Sequence, residues 1–376
     1  MREPLIASSD IKKINHTKIF RLIYASPEGI SKQEIMKQLG LSLPTVTQKL
    51  QELQEEGLVQ DSGSVGSSVG RRARVYSVVK EAKLAAGLDI NEDYFTAVLV
   101  DLYGNVICSE KHAVSFSRTD AYYKEMGQAV LRLIQAAGVS HEKILGVGLG
   151  VPGLVTKDRR KIFYGKILDF EGAACTEFSK YIPFPSLFYN DAKAAGFAEL
   201  WNRDDITRAF YVLLSNHVGG AMIYNHEVDL GENTHAGEIG HMTLIPAGKQ
   251  CYCGRLGCVD PYCSASVLSA AAGGSLEEFF RLLRQGNAGI QEVWDEYVQF
   301  LALAVNNAGV LLDCPIILGG YLGAYIEEYI GQIRERAQKR NPFSSREDAI
   351  IACRYKVEAI AAGAALPFID EFLNTI

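Results

Sequence analysis

The chain has 376 residues, a formal net charge of −6, 48% hydrophobic residues and 22% charged residues. That balance belongs to a globular protein and excludes a disordered or fibrous one. The length asks for two or three domains, and no apolar run approaches the roughly 20 residues that span a bilayer.

The amino end, MREPLIASSDIKK, lacks the apolar core of a signal peptide. A cytoplasmic setting with reduced thiols is therefore expected, with the eight cysteines serving as metal ligands or buried residues and not as disulfides. Charge is unevenly spread. Up to Lys80 there are seven Lys and five Arg against two Asp and six Glu, a net of +4, and the remainder nets −10. A basic head on an acidic body suits a DNA-binding module joined to a separate sensor or enzyme.

The first eighty residues read as three short helices and a hairpin. Ile19, Leu22 and Ile23 lie on one face of the first helix at three- and four-residue spacing, and Pro27 and Gly29 end it. Ser31 followed by Glu34 is a capping box opening a helix that holds Ile35 and Leu39 and stops at Gly40. Ser42 caps a third helix, which tolerates Pro44 in its first turn, buries Val46, Leu50 and Leu53, and ends at Gly57. Two short helices on a tight turn form a helix-turn-helix.

Thr45, Gln48 and Lys49 are expected to point outward, toward base edges or phosphates in a major groove. LVQDSGSVGSSVGRRARVYSV follows as two β-leaning runs about a Gly/Ser-rich tip. It is a wing whose Arg71, Arg72 and Arg74 would lie along phosphates or enter a narrow minor groove. This Arg-rich wing separates a winged DNA-binding head from a generic three-helix interaction module with a solvated basic loop.

From Leu84 the pattern becomes α/β. LAAGLDI, YFTAVLVD and NVICSEKHAV are strand runs, the last two joined by the turn DLYGN. A helix over about 120–137 leads to ILGVGLGVPGLV, a buried strand that breaks at Val151-Pro152-Gly153. FPSLFYN, DAKAAGFAELW, AFYVLLS and GGAMIYN continue the pattern as strand, helix and two strands. After a cysteine-rich loop come helices, the short strand CPIILGG and two more helices. Recurrence of a strand-hairpin-helix-strand unit predicts two related lobes with a cleft between them.

The loop EIGHMTLIPAGKQCYCGRLGCVDPYC, Glu238–Cys263, carries the most specific chemistry. His241, Cys251, Cys253 and Cys258 are one imidazole and three thiols, a set that structural zinc takes in tetrahedral sites. Gly254 and Gly257 let the backbone turn tightly enough for the sulfurs to converge. Four protein ligands leave no open position, so the metal is expected to hold shape and not to perform chemistry.

AGEIGHMTL together with CYCGRLGC resembles two hallmark segments of the ROK family of repressors, open reading frames and sugar kinases. GVGLGVPGLV and YNDAKAA resemble further segments of that family in the same order. A winged helix ahead of this body resembles the xylose-repressor-like branch. The resemblance implies a winged helix-turn-helix head over 1–80 and a two-lobed actin/hexokinase-like (ribonuclease H-like) body over 81–376. Its lobes would cover about 81–185 with the C-terminal helix, and 186–355, with a sugar site in the cleft and, in the kinase branch, ATP.

On residues alone, Asn190-Asp191 reads as a strand-end turn followed by a helix cap. The resemblance adds sugar binding at Asn190, Asp191, Glu238 and His241, with one His241 nitrogen on the metal and the other toward the sugar. The resemblance adds a fifth sugar-binding position two residues after the last zinc cysteine, where the family usually has Glu and this chain has Asp260, one methylene shorter. Asp191 matches the catalytic base of the kinases. The phosphate-binding turns depart from the family pattern. Asp89-Ile90-Asn91-Glu92-Asp93 has no glycine and adds negative charge where a triphosphate would sit, and Ser215-Asn216-His217 stands in place of Gly-Thr-Gly.

These features predict a non-enzymatic, sugar-responsive transcriptional repressor that binds operator DNA as a homodimer or tetramer and does not involve a membrane. The alternative is an ATP-dependent sugar kinase with a regulatory DNA-binding head.

Overall fold

The computed structural model describes residues 8–65, 73–201, 203, 205–343, 349–356 and 358–376. Its head contains α1 (Ser8–Tyr24), β1 (Ile30–Ser31), α2 (Lys32–Leu39), α3 (Leu43–Glu55), β2 (Val59–Val65) and β3 (Ala73–Val78). The capping box forms in full: Ser31 Oγ accepts from Glu34 N, and Glu34 Oε2 accepts from Ser31 N at 2.9 Å. Gly40 then stops α2 at φ 64°, and Ser42 caps α3 ahead of Pro44. Ile19, Ile23, Ile35, Val46, Leu50 and Leu53 close the core of the head. On α1, Phe20 is fully buried while Leu22 is only partly so, one step around the helix from the expected stripe. Strands β2 and β3 pair antiparallel as the wing, and β1 adds to β3.

In the first lobe β4 (Leu84–Ile90), β5 (Phe95–Val100) and β6 (Val106–His112) form an antiparallel meander. After α4 (Asp120–Ala136), β7 (Ile144–Val151) returns parallel to β4. A small hairpin of β8 (Leu154–Val155) and β9 (Ile162–Tyr164) and the turn α5 (Cys175–Phe178) precede β10 (Ser186–Asn190), which pairs parallel to β7.

The crossover α6 (Asp191–Leu200) leads to the second meander, β11 (Arg208–Leu214), β12 (Val218–Tyr224) and β13 (Glu227–Asp229). Helices α7 (Asp260–Cys263), α8 (Ala265–Ala270), α9 (Leu276–Arg284) and α10 (Ala288–Leu312) follow, then β14 (Ile316–Gly319), α11 (Gly323–Gln338), β15 (Ile350–Ala352) and α12 (Ala359–Thr375).

The two sheets run β10-β7-β4-β5-β6 and β15-β14-β11-β12-β13. Each is a meander extended by two parallel strands, so the repeat seen in the sequence is a repeat of topology. One boundary moves. Residues 186–190 were expected to open the second lobe, but their backbone completes the first sheet, with Ser186 opposite Val147 and Asn190 opposite Val151. The division therefore falls at α6.

Helix α12 packs across the first sheet and against α6 at backbone distance. A Cβ on Gly148 would lie 1.9 Å from the Ala364 carbonyl oxygen, and one on Gly363 would lie 1.8 Å from that of Ala194. Only hydrogen fits between these elements. The far end of α12 meets the head. Arg21 donates to Asn374 at 3.0 Å, and Thr17 bonds the carbonyl of Ile376. Beside it, the rings of Tyr24 and Tyr103 stack at 4.5 Å. Tyr24 OH donates to Leu102 O at 2.8 Å and Tyr103 OH to Tyr24 O at 3.1 Å.

Gly148→Ala should therefore destabilise the protein by at least about 1–3 kcal/mol through overpacking. Gly331→Ala, in a helix with nothing within 4 Å of the new methyl, should be neutral or stabilise by up to about 1 kcal/mol. Denaturant unfolding of the two variants checks the contrast.

Candidate functional site

The cleft between the sheets gathers the polar residues of both lobes. Asn190 ends β10 and caps α6: its Oδ1 accepts from Lys193 N and its Nδ2 donates to Gly153 O, both at 3.1 Å. The helix-cap reading holds, and the cap also pins the Val151-Pro152-Gly153 corner. Asp191 follows at the first helical position, with Oδ1 accepting from Ala192 N at 2.7 Å. Burial pushes its carboxyl up to about 6, opposed by that backbone bond and reinforced by the charge of Glu238.

Lys193 went unnoticed in the sequence. It is buried, and its ammonium donates to Gly220 O at 2.7 Å and to Glu238 Oε1 at 3.0 Å. A lone cation in the small-residue run DAKAAGFAEL was the available signal, because a buried ammonium needs a partner.

His241 ends a short 3-10 turn, Ile239–His241. Its Nδ1 lies 3.9 Å from Cys251 Sγ, and Cys253 Sγ lies 3.8 Å from Cys258 Sγ. The four ligand atoms are all within 4.8 Å of one another. An ion with Zn–S bonds of about 2.3 Å sets tetrahedral sulfurs about 3.8 Å apart, so the donor set fits a metal of that size. Gly257 makes the convergence possible: at φ 77°, a Cβ there would lie 1.7 Å from Ile245 O. None of the eight cysteines is in a disulfide. The other ring nitrogen, Nε2, faces the cleft and lies 3.0 Å from Tyr252 OH, a residue the motif reading passed over because it stands between two metal ligands.

Asp260 differs from expectation. Only 6% exposed, it has both oxygens engaged, Oδ1 by Val218 N at 2.7 Å and Oδ2 by His217 Nδ1 at 3.4 Å. Its side chain ends on the backbone of β12 and beside His217, outside the residues that line the cleft.

The turns Asp89–Asp93 and Ser215–His217 face each other. Glu92 of the first lies 3.9 Å from His217 of the second. Tyr321 OH donates to Asp89 Oδ2 at 3.0 Å and accepts from Asn91 Nδ2 at 3.1 Å, joining the lobes. Burial pushes the Asp89 carboxyl up to about 7 against the Tyr321 bond. Burial also works against a charged His217, but hydrogen bonds to Asp260 and Glu92 outweigh it and raise the ring to about 9. The remaining space between Asp191, Glu238, His241, His217, Tyr164 and Tyr252 is about 30 Å³, room for about two waters.

In the head, Gln48 is exposed and bonds Glu52, while Thr45 is half-buried with its hydroxyl on Ser42. Lys49 is corrected. It is 8% exposed and paired with Glu52, because at three residues from Val46 and four from Leu53 it falls on the buried stripe. The outward face of α3 is instead Pro44, Thr47, Gln48 and Gln51. Arg71 and Arg72 lie outside the described residues. Arg74 is exposed and sits 3.6 Å from Asp61.

The His217 ring titrates near 9 when folded against about 6.5 when unfolded. Its stabilisation is complete below about pH 6.5 and is lost as pH rises through about 9. Wild type should melt higher than His217→Gln at pH 6, and the gap should close by about pH 10; a pH-independent gap would refute the ion-pair assignment.

The ROK family model matches residues 85–370, and a model described as winged helix-turn-helix DNA-binding matches residues 13–60. The xylose repressor of Bacillus subtilis (strain 168) is 27% identical over 267 residues, 69% of this chain and 67% of that protein. The DNA-binding transcriptional dual regulator NagC of Escherichia coli (strain K12) is 25% identical over 328 residues, 86% and 75% of the two chains. A relative from Caldicellulosiruptor sp. (strain Rt8B.4) is 29% identical over 262 residues, 69% of this chain and 65% of its own length. The chain thus spans about two thirds of the length of the relatives it matches in Bacillus and Caldicellulosiruptor.

Among solved structures, a ROK family transcriptional regulator homologous to the E. coli MLC protein superposes with TM-score 0.71 at 20% identity, covering 97% of both chains. A ROK family glucokinase from Streptomyces griseus, in complex with glucose and AMPPNP, superposes with TM-score 0.64 at 22% identity over 75% of this chain and 98% of its own. With its winged helix-turn-helix head joined to this two-lobed body, the chain belongs to the ROK family.

Proposed function

We propose that this protein is a sugar-responsive transcriptional repressor of the cytoplasm, released from operator DNA by a monosaccharide bound in the cleft, and without kinase activity. The observation that carries the reading is the asymmetry of the cleft. Asp191, Glu238 and His241 converge on one side as hydrogen-bonding partners for vicinal hydroxyls. On the other side Glu92 of one phosphate turn meets His217 of the other, and Asp89 accepts from Tyr321, leaving acidic groups where ATP needs backbone N–H donors. The relatives named as repressors for xylose and N-acetylglucosamine support the same class of effector.

The cleft and the head are joined by a short path. Helix α6 begins at Asp191 in the site, and just beyond its last turn the Trp201 indole N–H donates to Tyr103 O at 2.9 Å. Tyr103 stacks on Tyr24 of the head. A sugar that favours one lobe arrangement moves this path only by its difference in affinity for the two states, and DNA weakens sugar binding by the same factor. The outward residues of α3 would read the operator from a homodimer or tetramer, with the wing on phosphates. Zinc on His241, Cys251, Cys253 and Cys258 would orient the His241 ring and supply no reactive position.

Gel shifts on the DNA upstream of the coding sequence, with D-xylose, D-glucose and N-acetyl-D-glucosamine, test the reading. At least one sugar should weaken DNA binding about fivefold or more, the range of ordinary allosteric coupling. DNA affinity unchanged by every monosaccharide tried would sink it. ADP formation from Mg-ATP and sugar that disappears in Asp191→Asn would establish the kinase alternative, which the retained Asp191 favours.

Cys253→Ser is expected to lose the metal, by elemental analysis, and the sugar response, while the head still binds DNA. A metal-free variant with a normal response would break the link between zinc and effector.

A further inference from the structure

We propose that Tyr252 is a built-in cap on the effector site: its hydroxyl takes the position at His241 Nε2 that a sugar hydroxyl takes, and the effector must displace it. This rests on the sugar reading above and adds the residue that sets how tightly the sugar is held.

Four observations carry it. The Tyr252 hydroxyl lies 3.0 Å from His241 Nε2, the nitrogen that faces the cleft while Nδ1 turns to the thiols. Its ring is held edge-on against His217 at 4.6 Å and against His241 at 5.2 Å, so it stands inside the site and not at its rim. With Tyr252 in place the open space is about 30 Å³, enough for about two waters and not for a pyranose ring. The backbone on either side belongs to Cys251 and Cys253, whose thiols join the metal cluster. The loop is thereby tethered, and rotation of the one side chain is the least costly way to make room.

The chemistry of the group matches the role. Like a sugar hydroxyl, the phenol can accept from the imidazole and donate to a nearby carboxylate. A capped state reduces the fraction of protein competent to bind, and the apparent affinity falls by that fraction.

Calorimetry of zinc-replete wild type and Tyr252→Phe with D-xylose, D-glucose and N-acetyl-D-glucosamine tests the proposal. Phe keeps the ring packing and removes only the hydroxyl. The variant should bind the responsive sugar about 3- to 10-fold tighter, the worth of one neutral hydrogen bond. Its association rate should rise by a similar factor, with unchanged metal content. Tyr252→Leu, lacking the phenol altogether, should shift affinity in the same direction. Wild type that binds sugar while Tyr252→Phe binds it equally or more weakly would overturn the cap and leave the sugar reading standing. Failure of both proteins to bind any of the three sugars would overturn the two together.

Discussion

The position of Asn190 and Asp191 in the cleft depends on how closely α12 approaches α6 and the first sheet. Gly87, Gly148 and Gly363 each sit where a methyl would collide with a backbone oxygen of the facing element. Such close approach replaces long side chains by dense dispersion contacts among Ala361, Ala362, Ala364, Ala365 and the small residues of α6. It also fixes the axis of α6 tightly, since interiors packed to this density do not deform gradually. The start of α6 carries Asn190 and Asp191, and just past its end Trp201 reaches the loop on which the head rests. One packing constraint thus places Asn190 and Asp191 and the contact to the DNA-binding head.

Around that frame the cleft is an electrostatic compromise. Asp191, Glu238, Asp260 and Asp89 bring four carboxylates into partly dry surroundings, where unpaired charge is costly. Lys193 neutralises Glu238, His217 serves Asp260 and Glu92, and a tyrosine hydroxyl serves Asp89. Among the described residues Asp191 has a hydrogen bond only from a backbone N–H, and burial raises its carboxyl to about 6. It is the group in the cleft most in need of a ligand hydroxyl.

The fold is shared with sugar kinases, and fold alone does not separate a sensor from an enzyme. In this chain the proposed distinction rests on two turns, Asp89–Asp93 and Ser215–His217, which meet through Glu92 and His217 at 3.9 Å.

Much of this was legible from residues because it depends on local order. Helix caps at Ser31 and Ser42, the wing, the repeated meander and the cysteine spacing are written in short segments, and the metal cluster needs only a turn that two glycines permit. What the sequence does not show depends on angle and reach. Lys49 is a surface residue by type, yet helical phase puts it on the buried stripe. Asp260 stands at a sugar-ligand position of the family, and only the fold shows its carboxylate meeting the Val218 amide and His217. Residues 186–190 begin a new unit by pattern, yet their hydrogen bonds complete the first sheet. Lys193 and Tyr252 carry no motif at all, and their roles arise from groups distant in the chain that the fold brings within 3 Å. Sequence alone determined the elements, the family and the convergence of His241 with three cysteines, because those rest on neighbours along the chain. The tertiary structure alone decided which polar groups remain free for a ligand, because that is settled by which partners each one meets across the cleft.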